Sequence, residues 1–162
     1  MTTQAELQAL VVEVAGAYEL PPALVCAIVE QESAWNPYAM RYEPGYRWLW
    51  PSPEALDAPR GVSKETEIAQ QRISWGLMQV MGAVAREHGC RSPYLSILCA
   101  EPRLGLEYGC RLLARLIGRY GRLDLGPAVS AYNAGRPTGG NLESYVRPVL
   151  ERMALLTCAR EE

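Results

Sequence analysis

Glu32 is a carboxylate in a place where the surrounding pattern calls for a hydrocarbon. In the stretch 21–37, Pro-Pro-Ala-Leu-Val-Cys-Ala-Ile-Val-Glu-Gln-Glu-Ser-Ala-Trp-Asn-Pro, the residues Leu24, Val25, Ile28 and Val29 recur at about 100° per residue and form an apolar helical stripe. Glu32 lies three, four and seven residues beyond Val29, Ile28 and Val25, so it extends that stripe. Glu30 falls roughly 200° from Ile28 and is free to face water. A carboxyl group in apolar surroundings keeps its proton to higher pH, because desolvation disfavours the charged form, and a protonated carboxyl near neutrality is a ready general acid. The ordinary structural alternative is a helix-terminal glutamate that curls out to solvent.

Other chemistries find little support. His88 is the only histidine, and it precedes Gly89 at an expected helix end, where a cation beside the last carbonyls is a structural feature; a Ser or Cys nucleophile would have to recruit that one base. Cys26, Cys90, Cys99, Cys110 and Cys158 are odd in number and lack Cys-x-x-Cys spacing, so they read as reduced, buried small hydrophobes. The same scatter argues against zinc, and no metal or cofactor is expected. Formal net charge is −2 and Lys64 is the sole lysine, with the arginines dispersed, so no basic stripe for nucleic acid is present. The first residues carry no basic n-region and the apolar run after them is broken by Glu13, so neither a signal peptide nor membrane insertion is expected. Synthesis in the cytoplasm, with later release or delivery, follows as an expectation; oligomeric state is left open.

The elements that must position Glu32 are helical. Thr3 and Glu6 form a capping box ahead of Leu7, Leu10, Val11, Val14 and Tyr18, which predicts an opening amphipathic helix. Pro21 and Pro22 suit the first turn of the next helix, and Asn36-Pro37 stops it. From Pro37 to about Val62 periodicity vanishes, and Tyr38, Tyr42, Tyr46, Trp48 and Trp50 crowd among prolines. A loop of that length with so many rings is a binding loop or a segment pinned to the core by those rings. Ser63 starts a helix that ends before Trp75-Gly76. A further helix carries Leu77, Met81, Val84, Ala85 and His88, Pro102 opens the longest one, and another runs from Pro127 to about Asn133. Asn141 is placed to N-cap a last helix with Val146, Val149, Leu150 and Met153 on its apolar face. No strand is expected. The fold class is therefore all-α, in a single domain over residues 1–162.

Three clusters occur in order: Glu32-Ser33 with Asn36-Pro37 and Ala39, then Gly76-Leu77-Met78-Gln79, then Ala131-Tyr132-Asn133-Ala134-Gly135, with Tyr145 in the final helix. Over residues 18 to 153 the sequence resembles the catalytic domain of the soluble-lytic-transglycosylase type of lytic transglycosylase, which shares a lysozyme-like helical fold with goose-type lysozyme. The resemblance implies that Glu32 is the catalytic acid/base and that Ser33 orients substrate or acid. It implies that Met78 and Gln79 line the floor of a sugar cleft, that Tyr132 and Asn133 hold the sugar chain, and that Tyr145 lies near the catalytic carboxyl. Apart from the family, Met78 reads as core filler and Tyr132 and Tyr145 as packed rings with satisfied hydroxyls.

The implied reaction cleaves the β-1,4 bond between N-acetylmuramic acid and N-acetylglucosamine in peptidoglycan and leaves a 1,6-anhydromuramyl end. The implied partner is thus a peptidoglycan glycan strand, and a phage-encoded, wall-degrading endolysin is the expected setting. The chain departs from the family between Ala39 and Gly76, an insertion loop of about 38–74 where commoner members are much shorter. This insert holds Glu43, Glu54 and Asp57, and a second carboxylate roughly 6.5–9.5 Å from Glu32 would give an inverting hydrolytic muramidase instead. Glu43 leads those candidates, against an ordinary role as ion-pair partner of Arg41 or Arg47. A glycan-binding or structural protein on the same fold is the third reading.

Overall fold

The computed structural model describes residues 2–52 and 54–158, the side chain of Cys158 excepted. The structure is mostly helical, with a small antiparallel sheet. Contacts divide the chain into two compact units, residues 1–35 with 109–162, and residues 36–108.

In the first unit, α1 (Gln4–Ala17) begins at the expected capping box, the Thr3 side chain accepting from the Glu6 N–H and Glu6 reaching back to the Thr3 N–H. Helix α2 (Pro22–Ser33) packs chiefly on α8 (Arg147–Cys158) and on α1. The single stripe expected for α2 is too narrow: every residue from Ala23 to Val29 is buried, because neighbours cover more than one face. Glu30 is accordingly half-buried rather than open to water. Burial of Leu24, Val25, Ile28 and Val29, all 0% exposed, contributes about 1.5–3 kcal/mol each. That sum exceeds the cost of holding one hydrogen-bonded carboxyl at the helix end.

Helix α2 stops at Ser33, before Asn36-Pro37, because Ala34 (φ 47°) and Trp35 (φ 64°) are both left-handed. Two such residues cost about 1–3 kcal/mol each, offset in part by the buried Trp35 ring. Helix α7 (Gly126–Ala134) ends on a left-handed Gly135, as its sequence predicts. A 3₁₀ turn (Gly139–Asn141) and a π turn (Leu142–Val146) then lead into α8.

The second unit corrects the expectation that strands are absent. Strands β1 (Met40–Tyr42), β2 (Ile73–Trp75) and β3 (Val80–Met81) form a three-stranded sheet in that order, with Arg41 opposite Ser74 and Ser74 opposite Met81. Strands of two or three residues leave too little alternation to be read from sequence. Leu77 therefore precedes β3 instead of joining α4 (Gly82–Glu87), which His88 and Gly89 close as expected. Gly82 cannot carry a side chain, since a Cβ there would sit 2.2 Å from the Gln70 carbonyl oxygen.

Helix α3 (Lys64–Gln71) is capped by Ser63 and buries its polar side: Glu67 is 2% exposed and Gln71 is 1% exposed. Arg86 meets Glu67 with Nε at 2.7 Å and Nη2 at 2.8 Å, while its Nη1 donates to the Cys90 and Ser92 carbonyls. Gln71 donates to Glu67 and to the Trp50 carbonyl, and accepts from the Trp50 N–H. Arg72 holds the Tyr46 carbonyl. The insert is thus pinned by α3 side chains gripping its backbone and by buried Leu49 and Leu56. The rings of Tyr38, Tyr42, Trp48 and Trp50 are 51–66% exposed.

The short α5 (Ile97–Ala100), absent from the sequence reading, precedes α6 (Pro102–Tyr120), which begins at Pro102 as expected. Cys26, Cys90, Cys99 and Cys110 are buried and not joined in disulfides; the Cys158 side chain lies outside the described residues. Among the described residues no helix is long and apolar enough to cross a membrane.

Candidate active site

Glu32 sits half-buried on the last turn of α2. The Tyr145 hydroxyl donates to its Oε1. Tyr145 belongs to the π turn, and the wider turn changes the angular position of its side chains relative to a continuous α-helix. Its ring is 6% exposed. Tyr132, on α7, is half-buried against the cluster of Leu116, Ala128 and Ala131, and its phenol feels the Glu32 charge. Ser33 gives its hydroxyl proton to the Val29 carbonyl at 3.0 Å. Asn133 is exposed and accepts at Oδ1 from Asn141 Nδ2 at 3.0 Å. The first unit therefore holds five of the sequence-predicted residues on three separate elements, and brings Tyr145 and Tyr132 to Glu32.

Burial pushes both phenols well above the ordinary tyrosine value of 10.0, with the negative charge of Glu32 adding to it; for Tyr145 the direct hydrogen bond adds further. Tyr145 is thus a permanent donor at neutral pH. Tyr46 is raised too, by burial and by Glu87. Because these folded values lie above the unfolded one, the stabilisation tied to the protonated phenols is complete below about pH 10 and is lost as pH rises through the folded values. Ultraviolet titration is expected to show these three tyrosines ionising above the ordinary phenol value. The same titration in urea should lose the lag, and a single native transition near pH 10 would contradict the buried phenols.

The remaining predicted residues belong to the second unit. Met78 is 0% exposed. Gln79 is left-handed (φ 47°) and its amide is engaged on both sides, Nε2 donating to the Ala39 and Gly76 carbonyls at 3.0 and 2.9 Å and Oε1 accepting from Ser74 at 2.9 Å. It ties the β1–β2–β3 turns together. Gly76 (φ 69°) is required there, a Cβ meeting the Leu98 carbonyl oxygen at 2.7 Å. Glu43 pairs with Arg41 at 2.6 Å on the surface.

Sequence reasoning missed the residues beneath Asn133. Asn141 does not cap α8; its side chain turns inward, where it is 8% exposed and bonds to Ser130 and Asn133. A cap and an inward-facing amide look alike in sequence, since both place Asn after a glycine-rich loop.

Mostly helical, with an acid held by a tyrosine at the end of a buried helix, the chain has the make-up of a lysozyme-like glycan-cleaving enzyme. It belongs to the transglycosylase SLT domain family, whose family model matches residues 9–148. No match was found among curated proteins or among solved structures. The chain is therefore a peptidoglycan lytic transglycosylase, acting on the glycosidic bonds of the wall polymer.

Proposed function

We propose that Glu32 is the single acid/base and that the product is a 1,6-anhydromuramyl end. The observation that carries the proposal is the Tyr145 hydroxyl on Glu32 Oε1: a half-buried carboxyl whose orientation is fixed by a phenol that stays protonated. Neutral Glu32 gives its proton to the oxygen linking N-acetylmuramic acid to N-acetylglucosamine, and the bond from C1 to that oxygen breaks. The substrate's own N-acetyl oxygen stabilises the positive C1. Glu32, now a carboxylate, takes the proton of the muramyl C6 hydroxyl, and the C6 oxygen bonds to C1. No water is consumed, so one carboxyl suffices where most glycosidases use two.

Glu43, the leading second carboxylate for a hydrolytic muramidase, is engaged by Arg41, which supports the one-carboxyl scheme. Mass spectrometry of soluble fragments released from purified peptidoglycan tests the proposal. Anhydro ends are expected, and reducing ends, heavier by one water, would make the enzyme a hydrolase. Release of no fragments, with protein retained on the insoluble wall, would favour a glycan-binding role.

A further inference from the structure

We infer that Asn141 is a positioning residue: it fixes which end of the Asn133 amide faces solvent, so that the site offers N–H donors to an acceptor oxygen of the glycan. This rests on the reading of Glu32 and its neighbours as the sugar site. Two backbone groups set the direction of the chain of hydrogen bonds. The Thr138 N–H can only donate, and it reaches Ser130 Oγ at 2.9 Å. Ser130 Oγ is thus an acceptor there and has its own proton for Asn141 Oδ1 at 2.7 Å, with the Thr138 carbonyl at 3.0 Å. The Ser130 carbonyl can only accept, and Asn141 Nδ2 lies 3.1 Å from it. The Ser130 carbonyl demands this orientation of the Asn141 amide, and the Ser130 hydroxyl, whose one proton faces both Asn141 Oδ1 and the Thr138 carbonyl, is compatible with it.

The second hydrogen on Asn141 Nδ2 points to Asn133 at 3.0 Å, so the atom that meets it must be Oδ1. Asn133 is exposed, and with Oδ1 turned inward its Nδ2 faces outward carrying two donors. Reversing Asn133 would set N–H against N–H and leave a buried donor of Asn141 without its acceptor. Ser130, at 3% exposed, and Asn141, at 8%, are shielded from water that could relieve such a mismatch. Asn133 follows Tyr132 on α7, and the Tyr132 phenol feels the Glu32 charge, which ties this helix end to the proposed sugar site.

Turnover of purified peptidoglycan by Asn133→Asp and Asn141→Asp tests the inference. Asn133→Asp still accepts from Asn141 but presents a carboxylate oxygen where donors stood; KM is expected to rise about tenfold or more, with kcat and Tm little changed. Asn141→Asp cannot donate to the Ser130 carbonyl and draws Asn133 round. It should lower kcat/KM by about tenfold in the natural background and add nothing to Asn133→Ala. A wild-type KM for Asn133→Asp would overturn the inference, as would equal losses from Asn141→Asp in both backgrounds. Should Asn141→Asp not fold, the exposed Asn133→Asp decides alone. Glu32→Gln separates the two levels: retained turnover there sinks the site reading, whereas an inactive Glu32→Gln beside a neutral Asn133→Asp sinks this inference only.

Discussion

Glu32→Gln is expected to lower fragment release from peptidoglycan by roughly 10²–10⁴-fold, the range that a positioned acid/base contributes. Glutamine keeps the shape of the side chain and retains an oxygen to accept from Tyr145, so α2 and its contacts with α8 should be preserved. What disappears is the proton that the glycosidic oxygen needs and the carboxylate that must take one back. Circular dichroism and Tm close to those of the natural protein, with the activity gone, is the expected pair of results. Near-normal turnover would remove Glu32 from the chemistry. A loss of both fold and activity would instead assign Glu32 a structural part through Tyr145.

Arg86→Ala is expected to destabilise the 36–108 unit by about 3–5 kcal/mol, because it leaves the 2%-exposed Glu67 carboxylate buried without its guanidinium. Two bonds to Glu67 and two to the carbonyls of Cys90 and Ser92 are lost together. Gln71 donates to the same carboxylate and also grips the Trp50 backbone, so the aromatic insert should loosen with it. The double change Arg86→Met with Glu67→Met should recover much of the loss, since it removes both charges and restores apolar volume. Urea unfolding followed by circular dichroism measures each. A single variant within 1 kcal/mol of the natural protein would show that water reaches the pair.

Much of the candidate site was legible in the sequence, from Glu32's place in its helix and from the motifs that carry the family resemblance, because these signals are local. The apolar stripe ending on Glu32, the Tyr132-Asn133 pair before Gly135 and the caps at Thr3 and Ser63 each lie within one or two helical turns. Local order of that kind depends on side-chain spacing and on which residues can satisfy free N–H groups at helix ends. The insert was legible as irregular but not as a three-stranded sheet, because its pairing joins residues 40–42 to 73–75 and no single strand is long enough to show a period.

The sequence by itself determined the mostly helical fold and the family to which the chain belongs, and it singled out Glu32 as the candidate acid. The resemblance put Tyr145 near Glu32, but only the tertiary structure decided that it does so from a π turn with its hydroxyl on Oε1, and that Asn141 turns inward instead of capping α8. It also decided that α3, polar in sequence, buries Glu67, Gln70 and Gln71. The reason is common to all of these. A buried polar group is tolerated only where distant parts of the chain supply its hydrogen-bond partners, and no local pattern records which distant part that will be.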